Sequence, residues 1–151
     1  MSAEATTHLA TAVVDGEGSG AMLLLDAPLS FWGGLDAGTG AIIEPAHPQH
    51  GHLIGGKVVL MERAKGSSSS SSVLAEAIRN GTGPAALVMR EADLIVGLGC
   101  IVASELYGIH VPIVVVGEEI WRALLRQGRG GTLGVLASAH RSCVEVGGTQ
   151  S

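Results

Sequence analysis

The feature that most constrains the fold is an alternation of short apolar runs and amphipathic segments between Lys57 and Ala137. The apolar runs predict strands, and the segments in which apolar residues recur every three or four positions predict helices. The predicted strands are Lys57–Met61, Ala85–Met89, Val111–Val116 and Thr132–Ala137, and the predicted helices are Ser71–Arg79, Ala92–Tyr107 and Glu118–Gln127. Strands that alternate with helices pair in parallel through right-handed crossovers, so this region predicts a layered α/β fold.

The residues before this region predict extra β structure that packs on or beside the parallel sheet. Short apolar runs at Leu9–Val14, Ala21–Leu25 and Ala41–Glu44 read as strands, and the glycine-rich segment Asp15–Gly20 reads as a turn. A chain of 151 residues suffices for one domain with a sizeable core. We therefore expect a disordered N-terminus over residues 1–7, one domain over residues 8–138 and a loose tail over residues 139–151.

Composition excludes several classes of function. The net charge is −5 and the basic residues form no cluster, which argues against nucleic acid and anionic membrane surfaces as partners. The longest apolar runs are too short to cross a bilayer, and the first residues lack the pattern of a signal peptide, so we expect a cytoplasmic protein. Cys100 and Cys143 form no CxxC pair, so we read both as reduced apolar residues and expect this chain to hold no metal alone.

Lys65–Ser72 is the most unusual loop, because six consecutive serines follow a predicted strand and open a predicted helix. Serine-rich tracts can be flexible linkers, and serine also caps helices, so both structural interpretations stand. However, a helix N-terminus attracts anions, and ligands of α/β sheets bind where strands end and helices begin. The position therefore favours a functional loop.

Two other loops have both a structural and a functional interpretation. Phe31 and Trp32 precede two glycines in an irregular segment, where the aromatics either anchor the loop in the core or form a wall facing a substrate. His47, His50 and His52 crowd into one loop that could bind a metal, but no carboxylate or thiolate lies among them. Isolated loop histidines are usually solvated or structural, and we favour that interpretation.

Several stretches of the chain, in consistent order over about residues 8 to 138, resemble the small chain of aconitase X. They are Leu29–Gly34, His47-Pro48, Gly56-Lys57, Gly66-Ser67, Ile78–Ala86 and Glu105–Ile109. The resemblance implies the three-layer β/β/α swivelling domain of the aconitase superfamily. In this family the small unit is either fused to a large catalytic domain or made as a separate subunit. A chain of this length would be the separate small subunit.

The resemblance also implies a hydro-lyase whose large subunit holds an iron–sulfur cluster as Lewis acid. By its position after Gly66, Ser67 matches the serine that removes a proton from the substrate, although Ser68 and Ser69 could take its place. A serine hydroxyl is a poor base, so it needs a helix N-terminus, nearby N–H groups or a cation such as Lys65 to hold it as an alkoxide. The residues expected to bind substrate are Lys65, Gly66, Ser68, Ser69, Phe31 and Trp32.

Two substrates belong to such proteins as a family: cis-3-hydroxy-L-proline in bacteria and mevalonate 5-phosphate in archaea. Between Ala46 and Ser72 the basic residues are Lys57, Arg63 and Lys65, few for a phosphate site, which favours the hydroxyproline reaction. The competing hypothesis is a non-catalytic module in which the serine loop holds an anion. The expected partners are the large aconitase X subunit and a small hydroxy acid.

Overall fold

The computed structural model describes residues 6–147 as a mixed α/β fold on an 8-stranded sheet. The strands are β1 (Thr6–Leu9), β2 (Thr11–Val14), β3 (Gly16–Leu24), β4 (Val58–Met61), β5 (Ala86–Met89), β6 (Ile113–Val115), β7 (Thr132–Ala137) and β8 (Ser142–Val146). The helices are α1 (Phe31–Gly34), α2 (Ser70–Asn80), α3 (Leu94–Tyr107) and α4 (Glu118–Gly128). Over the residues described, no helix is long and apolar enough to cross a bilayer.

The sheet has a parallel half and an antiparallel half that share β3. The strand order is β1-β8-β7-β3-β4-β5-β6-β2, with β3 to β6 parallel to one another and β2 antiparallel on the edge. The first part of β3, Gly16–Ala21, pairs with β7, and its last part, Met22–Leu24, pairs with β4. One long strand therefore connects the two halves.

The side chains of β4 and β5 alternate between two separate cores. Val59 and Met61 face a cluster with Leu74 of α2 and Cys100 of α3. Val58 and Leu60 face a second cluster, whose other members include Leu133, Val135, Val144, Trp121 and Leu124 from β7, β8 and α4. Because successive strand residues point to opposite faces, the parallel strands lie between helices and antiparallel strands. This layering agrees with the predicted three-layer β/β/α fold.

The alternating strands and helices from residue 57 onward are confirmed to within a few residues. The predicted strand Thr132–Ala137 is identical to β7, and the predicted helix Glu118–Gln127 ends one residue before α4. These elements have strong apolar periodicity and clear ends. Gly81 and Gly108, for example, adopt left-handed backbone angles directly after α2 and α3, as helix C-caps.

The predictions for the first part of the chain are only partly right. The single strand predicted over Leu9–Val14 divides at Ala10, because β1 pairs with β8 while β2 pairs with β6 in the other half of the sheet. The strand predicted over Ala41–Glu44 is reduced to isolated bridges at Ala41 and Ile42. Neither outcome depends on local sequence, since both are decided by which distant segment is available for pairing.

The turn predicted over Asp15–Gly20 is wrong, because residues from Gly16 onward belong to β3. The glycines allow the backbone of neighbouring segments to come close to β3. A Cβ at Gly18 would overlap the Ala85 carbonyl oxygen, and one at Gly20 would overlap the Gly56 carbonyl oxygen. Glycine inside a strand often marks such a contact. The glycines in this segment therefore reflect close packing of a strand and not a turn.

The prediction of a loose tail over residues 139–151 is wrong for residues 142–146, which form β8 between β1 and β7. Cys143, Val144 and Val146 are buried there, so the segment contributes to the second core. At the other end, Thr6 and Thr7 belong to β1, although disorder was predicted over residues 1–7. Residues 1–5 and 148–151 lie outside the described part of the chain.

Candidate active site

The serine loop leaves the sheet at the edge where the parallel strands β4 and β5 end together. Met61 and Met89, the last residues of these strands, are register partners. The backbone N–H groups of Arg90 and Glu91 both donate to the carbonyl oxygen of Glu62 at 3.0 Å. The loops that follow the two strands are thus tied together at the edge where ligands of parallel sheets usually bind.

Ser67 is held in the turn that leads into α2. Its Oγ accepts a hydrogen bond from the Ser69 N–H at 3.0 Å, and its carbonyl oxygen accepts one from the Ser70 N–H at 3.0 Å. Ser69, the residue before the helix, makes no capping bond with its side chain. Ser67 is half-buried, whereas Ser68 and Ser69 are exposed. Of these three hydroxyl groups, that of Ser67 is therefore the least exposed and accepts a hydrogen bond from a backbone N–H.

Gly66 allows the serine loop to pack against the segment that precedes α1. Its backbone is left-handed, with φ of 109°, and a Cβ at this position would lie 2.6 Å from Ser30 Cβ and overlap Ser30 Oγ. The Lys65 N–H donates to the Leu29 carbonyl oxygen at 3.3 Å in the same contact. Both the φ value and the lack of space require glycine here.

Phe31 and Trp32 have opposite environments. Phe31 is 1% exposed and belongs to the core cluster, so the expectation that it binds substrate is corrected: its ring anchors the loop. Trp32 is 58% exposed, and its backbone N–H donates to Ser70 Oγ at 3.1 Å. Trp32 is therefore next to the first turn of α2 with its ring available for contact. The structural interpretation of this loop therefore applies to Phe31, and a role of Trp32 in substrate binding stays a prediction.

Lys65 does not present a free charge to the serine loop. Its Nζ lies 3.2 Å from Glu44 Oε2, and the lysine side chain is about half exposed. An exposed ion pair of this kind contributes little to stability, but it partly neutralises the ammonium group. The structure therefore gives less support to Lys65 as the cation that stabilises an alkoxide at Ser67.

Arg63 and Arg90 were not among the predicted site residues, yet they lie at this edge. With Glu62 and Glu91 they line a cavity of about 120 Å³. Among the described residues neither guanidinium has a carboxylate within ion-pair distance, and Arg90 Nε is buried without a hydrogen-bond partner. A sequence signal did exist, since Arg90 directly follows a predicted strand, where parallel sheets place ligand-binding residues.

The histidine loop has a structural role at its first residue. His47 is buried, its Nδ1 accepts from the Gln49 N–H at 3.0 Å, and its Nε2 lies 2.9 Å from the Ala27 carbonyl oxygen. A backbone N–H can only donate, so Nδ1 is the acceptor and Nε2 carries the proton. The ring is therefore neutral and connects this loop to the segment after β3. His50 and His52 are exposed.

The described residues do not fit an iron–sulfur cluster or another metal centre. Between residues 6 and 147, no group of three His, Cys, Asp or Glu side chains could hold a metal ion. Cys100 of α3 and Cys143 of β8 are free and buried, and burial raises the pKa of the Cys100 thiol to about 12. A thiol that keeps its proton is a poor metal ligand, since the thiolate is the species that binds.

The sequence of this chain is similar to one family profile and to proteins that share that domain. The profile described as the aconitase X swivel domain matches residues 7–143. The cis-3-hydroxy-L-proline dehydratase of Pseudomonas aeruginosa is 42% identical over 107 residues, which are 71% of this chain and 18% of that protein. The phosphomevalonate dehydratase small subunit of Methanothermobacter thermautotrophicus is 44% identical over 89 residues, 59% of this chain and 68% of that subunit.

Structural comparison agrees with the sequence matches. Thermococcus kodakaraensis aconitase X in its holo form superposes with a TM-score of 0.78 and 27% identity, over 93% of this chain and 98% of the matched chain. The chain spans about a fifth of the length of the first curated relatives it matches, at 18% and 21%. Most of each of those relatives thus has no counterpart in this chain.

Proposed function

The chain belongs to the aconitase X swivel-domain family, and on that premise we propose that it is the small subunit of a heteromeric iron–sulfur hydro-lyase. The observation on which the proposal depends is the position of Ser67. It lies just before α2, where the parallel strands end, and its Oγ accepts a hydrogen bond from the Ser69 N–H. The chain itself lacks a metal site within residues 6–147, which supports assigning the cluster to the large subunit. The complex would act in the cytoplasm, where the free thiols Cys100 and Cys143 stay reduced.

In the proposed reaction, Ser67 acts as the general base. The ionised Oγ takes a proton from the carbon next to the substrate's activating group, and the electron pair of that C–H bond forms the new double bond. The C–O bond on the neighbouring carbon breaks at the partner's side of the site; the leaving hydroxide takes up a proton and Ser67 releases the one it accepted, so that one water is lost overall. The Ser69 N–H and the positive end of the α2 dipole stabilise the anionic oxygen.

The remaining residues of the loop would position the substrate. Trp32 presents an exposed ring close to the first turn of α2, and the exposed Ser68 and Ser69 offer hydroxyl groups beside the base. Gly66 supports their placement, because only glycine fits between the loop and Ser30. Lys65 would act mainly through its pair with Glu44, as a contact that fixes the loop.

We propose cis-3-hydroxy-L-proline as the substrate, with mevalonate 5-phosphate as the second candidate. Relatives with either activity are similarly identical to this chain, so identity does not choose between them. The few basic residues in the serine loop favour the hydroxyproline reaction. The observation that favours the second candidate is the cavity lined by Arg63 and Arg90 together with Glu62 and Glu91, since guanidinium groups bind phosphate well.

The test is co-expression of this chain with the large subunit from the same organism, followed by dehydration assays with both substrates. We expect the complex to be active and the isolated chain to be inactive. Failure of the complex to dehydrate either compound would favour the non-catalytic anion-binding module. Dehydration by the isolated chain would contradict the assignment of the cluster to the partner.

Single substitutions in the complex test the base. We expect Ser67→Ala to lower kcat by roughly 10²–10⁴-fold, the usual contribution of a general base. Ser68→Ala and Ser69→Ala are made for comparison, because both side chains lie in the same loop, and we expect the loss of a substrate contact there to lower kcat less than the loss of the base. Near wild-type turnover by Ser67→Ala, or a larger loss in either of the other two variants, means that Ser67 is not the base.

A further inference from the structure

Helix α3 exposes an apolar stripe, which we define as Leu94, Leu98 and Ile101. Leu94 is 86% exposed and Leu98 51% exposed, and the three residues recur at the spacing of one helix face. The opposite face of α3 is buried against α2 and the sheet through Val96, Gly97, Gly99, Cys100 and Ala103. The helix is thus apolar on both its buried and its exposed sides.

The other long helices show that this pattern is specific to α3. The exposed face of α4 carries charged side chains, which include Glu118, Arg122 and Arg126, and α2 exposes Glu76 and Arg79. Along α3 itself, Glu105 is the one charged residue. A helix that is apolar all round is normally covered on all sides, so the stripe indicates a missing partner surface.

The stripe is adjacent to the proposed active site. Asp93, which caps α3, follows β5 at the same sheet edge where the serine loop follows β4. The first turn of α2 also contacts α3, where a Cβ at Gly99 would lie 2.9 Å from the Ser71 carbonyl oxygen. A partner that completes the site over Ser67 would therefore meet the start of α3 at the same time.

We propose that the α3 stripe is the docking surface for the large aconitase X subunit. The inference rests on the proposed function, which requires a second chain at this edge. It also agrees with the relatives in which about four fifths of the chain lies outside the region matched here. An apolar contact that begins beside Ser67 would bring the partner's part of the site over the serine loop and exclude water from it.

The test measures binding of purified large subunit to this chain and its variants by isothermal titration calorimetry. We expect Leu98→Lys and Ile101→Lys each to weaken binding at least tenfold, because each buries a charge in an apolar contact. Leu9→Lys is the control, since Leu9 is 72% exposed and lies on β1, outside the α3 stripe. All three variants should keep the thermal midpoint of the wild-type chain, because the replaced side chains are exposed.

The possible outcomes separate this proposal from the proposed function. If Leu98→Lys and Ile101→Lys bind as tightly as wild type and the complex is active, the docking surface is wrong and the function stands. If both variants lose binding but the wild-type complex dehydrates neither substrate, the surface stands and the function is wrong. An isolated wild-type chain that self-associates through Leu98, without binding the large subunit, would overturn the docking proposal.

Discussion

At the scale of single residues, the serine run divides into side chains with different environments. Ser67 Oγ accepts from the Ser69 N–H, Ser70 Oγ accepts from the Trp32 N–H, and Ser71 Oγ donates to the Ser68 carbonyl oxygen. Ser70 is buried and connects α2 to the loop that carries Trp32. One low-complexity tract therefore contains a proposed base and a buried structural contact.

The contact made by Ser70 leads to a stability prediction. Ser70→Ala leaves the partly buried Trp32 N–H without its partner, and the loss of such a hydrogen bond costs about 1 kcal/mol. We expect a loss of that size in the free energy of unfolding, measured by urea denaturation of the isolated chain. Ser72→Ala is the control: its side chain is exposed, so the change should stay within about 0.5 kcal/mol. Equal effects of the two substitutions would contradict a specific role for Ser70.

At the scale of elements, the two helices that begin at the active edge start in different ways. No side chain caps α2 from Ser69, whereas Asp93 caps α3 by accepting from the N–H groups of Ile95 at 3.0 Å and Val96 at 2.9 Å. In α2 the N–H groups of Ser70 and Ser72 donate to the carbonyl oxygens of Ser67 and Ser69, at 3.0 Å and 3.1 Å, so backbone oxygens take the place of a side-chain cap. The cap on α3 instead fixes the start of the stripe.

The Asp93 cap can be tested with a matched pair of variants. We expect Asp93→Ala to lower the free energy of unfolding by about 1 kcal/mol relative to Asp93→Asn, because asparagine keeps an accepting oxygen. Urea denaturation followed by circular dichroism measures both. If the two variants are equally stable, the side-chain hydrogen bonds do not contribute to the start of α3.

At the scale of the whole molecule, the parallel strands separate two cores, and Cys100 lies in the core under the helices. Burial raises the pKa of its thiol from an ordinary value of 9.0 to about 12, so the folded chain keeps the proton at pH values where the unfolded chain loses it. The stabilisation from this neutral thiol is complete below pH 9 and is lost as the pH rises toward about 12.

The resulting pH dependence is measurable by comparison with Cys100→Ala. Wild-type stability should fall relative to the variant above about pH 9, with a slope of up to about 1.4 kcal/mol per pH unit. Urea denaturation at several pH values on either side of that point gives the difference directly. All other titratable groups are the same in the two proteins. If the difference in their free energies of unfolding does not change with pH, burial of the Cys100 thiol does not affect stability in the way proposed.

The residues that sequence could identify are those whose environment is set by local pattern. The apolar periodicity from Lys57 to Ala137 predicted the alternating strands and helices, because burial on one or two faces dictates which positions are apolar. The serine loop was found in the same way, as an unusual tract between a strand and a helix. Phe31, by contrast, was expected to bind substrate and lies in the core.

The tertiary structure alone decided the features that depend on distant partners. The sequence predicts a turn at Gly18 and Gly20, but these glycines lie in a strand where the backbone of Ala85 and Gly56 approaches closely. Residues 142–146 form a strand because β1 and β7 flank them. The placement of Arg63 and Arg90 around one cavity and the exposure of the α3 stripe likewise follow from the arrangement of elements. Local sequence determines which backbone conformation and which degree of burial each residue favours, whereas long-range packing determines which segments become neighbours.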